Sequence, residues 1–358
     1  MHSMKIKIDN TEVEFHKDET ILECARRAGV DVPTLCHRDG VEHYSSCMVC
    51  MVRVKETNAF VPSCSALAQE GMDIDASGDE VVRMRHEALN LLLSEHRAEC
   101  EAPCRIVCPA GYNIPLMNRL LIAGKFEEAA ELISSETGGN ELKCISCKAF
   151  CENSCRRKKI DEPVSIRNIR IFLSMNKTNT TDVKTSVPAS AAAVRARFSS
   201  RTGRLDESEQ REWLKECPEN VIRHREITDL TTAAAEAESC MHCDCRAADD
   251  CRLRDLAEKF GLKDPGGKIA NAPVAKKINR KAGLVFEHAK CIKCGLCVRI
   301  CNDSTTKPAP CFINRGFVTV ISEPLTGDFD DILPSVAEKC IAICPTGALA
   351  RFEDNSIK

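Results

Sequence analysis

Aromatic side chains are scarce in this sequence, with one Trp, two Tyr and twelve Phe among 358 residues. Large aromatics carry much of the burial energy of ordinary cores, so stability must come partly from elsewhere. No apolar run reaches the roughly 18 residues that a membrane-spanning helix needs, which argues against a membrane partner. The N-terminus MHSMKIKIDN is charged and lacks the apolar core of a secretory signal. Charge of one sign is not in excess: a net charge of −3 and a pI near 6.3 argue against nucleic acid as the main partner. Nucleotide loops are missing as well. The 17 glycines form no G-x-G-x-x-G, and Gly266-Gly267-Lys268 runs into Ile269, so neither a dinucleotide fingerprint nor a phosphate loop is present. His86-Glu87 would open a zinc-protease helix, but the fifth position is Asn90. No G-x-S-x-G elbow occurs. The expectation is a chain with no catalytic residue and no FAD- or NAD(P)-binding residue of its own.

What is abundant is cysteine, with 24 residues. Disulfides belong to oxidising compartments. With no leader in view, the expected location is cytoplasmic and the thiols are read as metal ligands. Metal binding coupled to folding would then supply what a small core does not. A chain of this length is expected to hold two to four domains.

The patterning predicts an α+β multi-domain fold. Residues 4 to 15 alternate around Asp9-Asn10 as a hairpin, Thr20 caps a helix over ILECARRAG that stops at Gly29, and MVCMVRV at 48 to 54 reads as a strand. A helix is expected over 81 to 96, and a helical hairpin broken near Gly124 over 114 to 133. Ser174 to Glu209 has linker composition. The expected divisions are a β-grasp 2Fe-2S ferredoxin domain at 1–78, an α-helical two-cluster domain at 79–173, a linker or extended segment at 174–237, a four-cysteine motif at 238–262 and a ferredoxin-like 4Fe-4S domain at 263–358.

The cysteines fall into groups. Cys36, Cys47, Cys50 and Cys64 are spaced as a 2Fe-2S cluster requires, a long loop and a tight C-x2-C turn converging four thiolates on two irons. His96, Cys100, Cys104 and Cys108 precede Pro109; Cys144, Cys147, Cys151 and Cys155 precede the basic run Arg156 to Lys159. Together these are eight ligands, enough for two 4Fe-4S clusters, although His96 reads equally well as a solvated surface residue; the basic run reads either as a solvated face or as cations that raise the potentials of anionic clusters beside them. Cys240, Cys243, Cys245 and Cys251 suit either a 4Fe-4S cube or tetrahedral zinc. Cys291, Cys294, Cys297 and the remote Cys344-Pro345 form a bacterial ferredoxin run. Cys301, Cys311 and Cys340 fit a further cluster, such as 3Fe-4S, or packed thiols. Cys24 and Cys217 are left over, and Cys24 is expected in the core.

The first group and its β-β-α start resemble the plant-type ferredoxin domain that opens the large iron–sulfur subunit of respiratory complex I and many iron hydrogenases. The stretch SEHRAECEAPCRIVCPAGYNIPLMNRLLIAGKFEEA with CENSCRRKKIDEPVSI resembles the N-terminal cluster domain of the glutamate synthase small subunit and dihydropyrimidine dehydrogenase. That resemblance implies interleaved ligands: His96, Cys100, Cys104 and Cys155 for one cluster, Cys108, Cys144, Cys147 and Cys151 for the other. An imidazole at His96 also resembles the His-ligated cluster of complex I. The segments 94 to 172 and 203 to 350 resemble the ends of FAD-dependent oxidoreductases whose flavin and NADPH domain is absent here.

The composite predicts an electron-transfer subunit holding one 2Fe-2S cluster and about three to five 4Fe-4S clusters, with zinc an alternative at the Cys240 group. Its expected partners are flavoprotein NAD(P)H-binding subunits and a soluble ferredoxin, in a complex resembling electron-bifurcating transhydrogenases or hydrogenases, or NAD-linked formate dehydrogenases. The alternatives are a stand-alone polyferredoxin and an iron–sulfur or zinc redox sensor.

Overall fold

The computed structural model describes residues 4–42, 44–97, 99–138, 143–176, 207–218, 221–262, 275–301 and 309–352. Half of the expected linker or extended segment, residues 177–206 and 219–220, lies outside the described residues. The chain is α+β and divides into two compact units, one of Met1–Arg97, Asp250–Ala272 and His288–Leu349, the other of Ala98–Asp249, Pro273–Glu287 and Ala350–Lys358. No helix among the described residues is long and apolar enough to cross a membrane.

In the first unit, β1 (Met4–Ile8) and β2 (Thr11–Phe15) pair antiparallel through Asp9 and Asn10, whose φ angles of 45° and 72° are those a tight two-residue hairpin turn needs. Alternation sends Ile6, Ile8, Val13 and Phe15 into the core. There they meet α1 (Ile21–Arg27), whose N-terminus is closed by a Thr20–Glu23 capping box. β3 (Met51–Val54), β4 (Ala59–Pro62) and β5 (Asp73–Asp75) complete a five-stranded sheet in the order β2-β1-β5-β3-β4, with β1 and β5 parallel. The strand expected from residue 48 starts only at Met51. Residues 47–50 are the cysteine loop instead, and Met48 sits there at a φ of 55°.

α2 (Asp79–Glu95) begins two residues earlier than the pattern indicated, behind Gly78. A Cβ on Gly78 would stand 2.5 Å from the Asp75 carboxylate, which accepts the Gly78 amide at 2.7 Å. The buried Arg85 then ties α2 to the sheet by donating Nε–H to the Met51 carbonyl at 3.0 Å. The rest of this unit comprises the helix Arg252–Lys259, the short helix Leu296–Arg299, the hairpin of Cys311–Ile313 with Val320–Ser322, and the helix Pro334–Ile343.

The second unit is mainly helical: α3 (Pro103–Ile106), α4 (Ile114–Ile122), α5 (Phe126–Thr137), α6 (Phe150–Asn153), α7 (Ile166–Met175), α8 (Glu207–Leu214) and α9 (Leu230–Ala237). The expected helical hairpin is α4 and α5, turning at Gly124 with φ 69°, and α5 runs on to Thr137 before Gly138 ends it in the left-handed conformation. Met117, Leu121, Leu132, Ile133 and Ile169 form its core with Ala233 and Ala237 of α9.

Residues 207–237 therefore carry two helices where an extended segment was expected. Charge burial explains their order. Glu236 of α9 is fully buried and accepts from the amides of Ser165 and His224 and from Arg223. The segment 275–287, expected within the ferredoxin domain, instead joins this unit through Lys276. Its ammonium is fully buried, pairs with Glu216 and lies 3.6 Å from the ring centre of Trp213. Glu216 also pairs with Arg246 at 2.8 Å. Burial alone would raise the Glu216 carboxyl, but Arg246 and Lys276 hold it well below the usual carboxylate range.

Because its folded pKa is depressed, Glu216 contributes stability above the unfolded carboxylate value near 4.3, and loses it as pH falls through the folded value. Glu216→Gln should destabilise this unit by about 3 kcal/mol at neutral pH, since it strands two buried cations. Anaerobic denaturant unfolding followed by the fluorescence of Trp213, the single tryptophan, measures it. Unchanged stability would show that the cations are compensated by other groups.

Candidate iron–sulfur sites

In the first unit the loop after α1 and the strand β3 bring Cys36, Cys47, Cys50 and Cys64 together. The Cys36 thiol is pulled well down by hydrogen bonds from Cys47 and Cys64, and Cys50 is lowered to about 7 by Cys64. Cys47 and Cys64 are correspondingly raised as donors. All four are buried, and Ser63 fixes the loop by donating to the Cys50 carbonyl at 2.8 Å. This donor set suits a 2Fe-2S cluster.

Cys291, Cys294, Cys297 and Cys344 also converge. Burial pushes Cys291 and Cys294 up to about 12, with Cys344 adding to both, and Cys297 is raised by burial and by the other three. The Lys293 amide donates to the Cys291 sulfur at 3.4 Å, from a φ of 53° that turns it inward. Beside this set the sulfurs of Cys301 and Cys340 lie 3.7 Å apart, and the Cys340 thiol faces the Cys297 carbonyl at 3.9 Å. Cys311 has a different neighbour, Glu323, so the structure pairs two of these three thiols instead of grouping all of them.

His96 is 4% exposed, which removes the reading as a surface residue. Its Nδ1 lies 3.0 Å from the Lys290 carbonyl, and because a carbonyl only accepts, Nδ1–H is the donor. That arrangement, a ring N–H held by a backbone carbonyl, is the one that orients a metal-ligating histidine. Cys251 of this unit has its thiol 4.0 Å from the Pro345 carbonyl.

Among the described residues, two cavities of the second unit are lined by cysteines. Cys108, Cys144, Cys147 and Cys151 line the first, in the grouping that the dihydropyrimidine dehydrogenase resemblance implied. Cys104, Cys155, Cys240 and Cys243 line the other. Cys104 and Cys155 thus meet two cysteines of the 240 group instead of His96 and Cys100, and the four cysteines expected together from Cys240 to Cys251 are divided. The cause is an ion pair: Arg119 on α4 grips Asp244 through two hydrogen bonds of 2.8 and 2.7 Å, drawing the loop 240–245 onto α4. Cys100 lies on the same loop's path, its carbonyl accepting the Cys245 amide at 3.0 Å. Ile114 lines both cavities.

The polar atoms in these walls fit a cluster in each. Arg170 is fully buried in the first wall, with Nη2 on Glu136 at 2.8 Å, while Nε and Nη1 are without an oxygen or nitrogen acceptor among the described residues. Burial raises the neighbouring Cys144 thiol, and the Arg170 charge opposes it. Asn118, also fully buried, has both carboxamide atoms unsatisfied in the second wall and acts on Cys240, whose thiol burial pushes up to about 12. Thiolate and sulfide acceptors would satisfy such donors. The basic run is half interior: Arg156 and Arg157 are buried in the second wall, and Lys158 and Lys159 are exposed. Arg170, Asn118 and Ile114 were not singled out from sequence, where each reads as ordinary helix. Cys24 is a core residue of α1, and Cys217 is buried with its thiol toward the Cys240 carbonyl at 3.4 Å.

Residues 2–78 match the 2Fe-2S iron-sulfur cluster binding domain, and residues 80–182 match dihydropyrimidine dehydrogenase domain II, 4Fe-4S cluster. The chain is 24% identical over 158 residues to the NADH-ubiquinone oxidoreductase 75 kDa subunit of Reclinomonas americana, covering 43% of this chain and 22% of that protein. It is 32% identical over 112 residues to NADP-reducing hydrogenase subunit HndD of Solidesulfovibrio fructosivorans, covering 30% and 18%. With NADPH-Fe(3+) oxidoreductase subunit alpha of Geobacter sulfurreducens the identity is 27% over 115 residues, covering 32% and 13%. The chain therefore spans less than a quarter of the length of these relatives. The crystal structure of an NAD+-reducing [NiFe]-hydrogenase in the H2-reduced state shares the fold with a TM-score of 0.52 at 16% identity, over 100% of this chain and 91% of that one.

Cys155→Ser and Cys240→Ser should each remove the same 4Fe-4S signal in electron paramagnetic resonance and about four iron atoms, and Cys147→Ser should remove a different signal. A Cys240 variant that keeps the signal lost with Cys155 would contradict the grouping.

Proposed function

We propose that this chain is the iron–sulfur wire of a multi-subunit, flavin-dependent NAD(P)-linked oxidoreductase. The observation that carries the reading is the gathering of cysteines into four-thiolate sets, two of them in cavities with a common wall at Ile114. Such sets exchange single electrons, and the sequence offers no pocket motif for a two-electron cofactor. Cys36, Cys47, Cys50 and Cys64 would hold a 2Fe-2S cluster. Cys291, Cys294, Cys297 and Cys344 would hold one 4Fe-4S cluster, and the two cavity sets would hold two more. His96, Cys100, Cys245 and Cys251 are further candidate ligands.

Partner subunits would supply the flavin and the nicotinamide site, in a cytoplasmic complex of the transhydrogenase or hydrogenase type, and electron bifurcation is the particular form this assignment favours. The matched domains and the names of the relatives support the electron-transfer role, not bifurcation as such: those proteins are described as NADH-, NADP- or NADPH-linked oxidoreductase and hydrogenase subunits. The expected likeness to the glutamate synthase small subunit rests on the motif 94 to 172 alone.

Anaerobic purification of the intact complex, with iron, zinc and flavin quantified, tests the reading. About 14 to 18 Fe per chain, with flavin in a separate subunit, is the expected result. About 6 Fe would leave a single cube and defeat the wire; zinc without reducible iron would favour a sensor.

A further inference from the structure

Arg299 ends the short helix that follows Cys297 and is 3% exposed. Its Nε–H donates to the Gly295 carbonyl at 3.2 Å and Nη1 to the Glu42 carbonyl at 2.5 Å. Nη2 donates both to the Cys36 carbonyl at 3.0 Å and to the Cys294 carbonyl at 2.8 Å. One nitrogen thus holds the backbone of a residue from the 2Fe-2S set and of one from the ferredoxin set. The Tyr44 ring covers the guanidinium at 4.6 Å, and Ser46 adds a second tie by donating to the Cys294 carbonyl at 3.4 Å.

All four of these acceptors are neutral main-chain carbonyls. A buried guanidinium needs negative charge close by, and the two thiolate sets flanking Arg299 are where that charge would be. Arg252 stands near the same sulfurs: burial lowers its pKa and Arg38 lowers it further, while Cys47, Cys294 and Cys36 oppose them. Arg252 also has a separate anchor, donating to the Thr34 carbonyl at 2.7 Å.

We propose that Arg299 is the positioning residue that couples the 2Fe-2S site of Cys36, Cys47, Cys50 and Cys64 to the 4Fe-4S site of Cys291, Cys294, Cys297 and Cys344. Its fork fixes the spacing of the two loops, and its charge favours the reduced state of both sites together. This rests on the wire reading. The step it serves moves one electron from one site to the other and makes or breaks no bond.

The test is an anaerobic redox titration of the intact complex by electron paramagnetic resonance, with unaltered protein, Arg299→Gln and Arg299→Lys. Arg299→Gln should make both sites harder to reduce by about tenfold in equilibrium constant, 59 mV for one electron. Arg299→Lys keeps the charge and loses the fork, so both potentials should stay near the parent's while the magnetic interaction between the two reduced sites weakens. A shift at one site only, or at neither, overturns the proposal. If Arg299→Gln fails to take up a cluster, the lysine variant decides, and an unchanged magnetic interaction in it is equally fatal. Absence of either signal from the unaltered protein defeats the wire reading itself.

Discussion

Several thiols confined in one buried space are an unfavourable arrangement unless something cationic joins them. Burial pushes Cys151, Cys240, Cys291 and Cys294 up to about 12, so each resists ionisation, and each neighbour that ionises makes the next harder. Metal ligation reverses this by deprotonating the thiol outright. The binding energy of inorganic centres then becomes folding energy, which is how a chain with one tryptophan and two tyrosines can hold its loops in place.

The same constraint explains where the arginines are. Arg170, Arg156, Arg157 and Arg299 are all buried, and each lies in the wall of a cysteine set or between two sets. A lysine could supply the charge, but the planar fork lets one side chain serve carbonyls, a carboxylate and a cluster wall at once. Carboxylates temper the effect where they are near: Glu136 pairs with Arg170 and Asp161 with Arg157. The field at each site is therefore a difference between close charges, and single substitutions on either side change it with opposite sign.

Local pattern made the N-terminal domain legible, because its signals are short-range. The hairpin at Asp9-Asn10, the Thr20 cap and the tight Cys47-x2-Cys50 turn each act within a few residues. The grouping of the remaining cysteines was less legible. Cys104 and Cys155 meet Cys240 and Cys243 because Arg119 recruits Asp244 from 125 positions away, and no spacing rule encodes one ion pair. The run Arg156 to Lys159 was open for a related reason: four consecutive basic residues fit a solvated face or cations beside a cluster, and a 3-10 turn divides them, sending the first two inward and the last two out. Residues 207–237 fall within the expected linker or extended segment, and the buried pairs of Glu216 and Glu236 show why they fold.

The wall shared by the two cavities bears on how the sites would act on one another. Ile114 is an apolar side chain, 1% exposed, standing where water would otherwise screen one site from the other. In a low-dielectric gap a charge added at one site is felt strongly at its neighbour, so the two would not reduce independently. Each wall answers this with its own donor: a charged one at Arg170, and a neutral one at Asn118 alongside paired arginines. The asymmetry is physical and local. It gives two chemically similar four-thiolate sets different surroundings within a single helical unit, and a direction for electrons requires such a difference between neighbours.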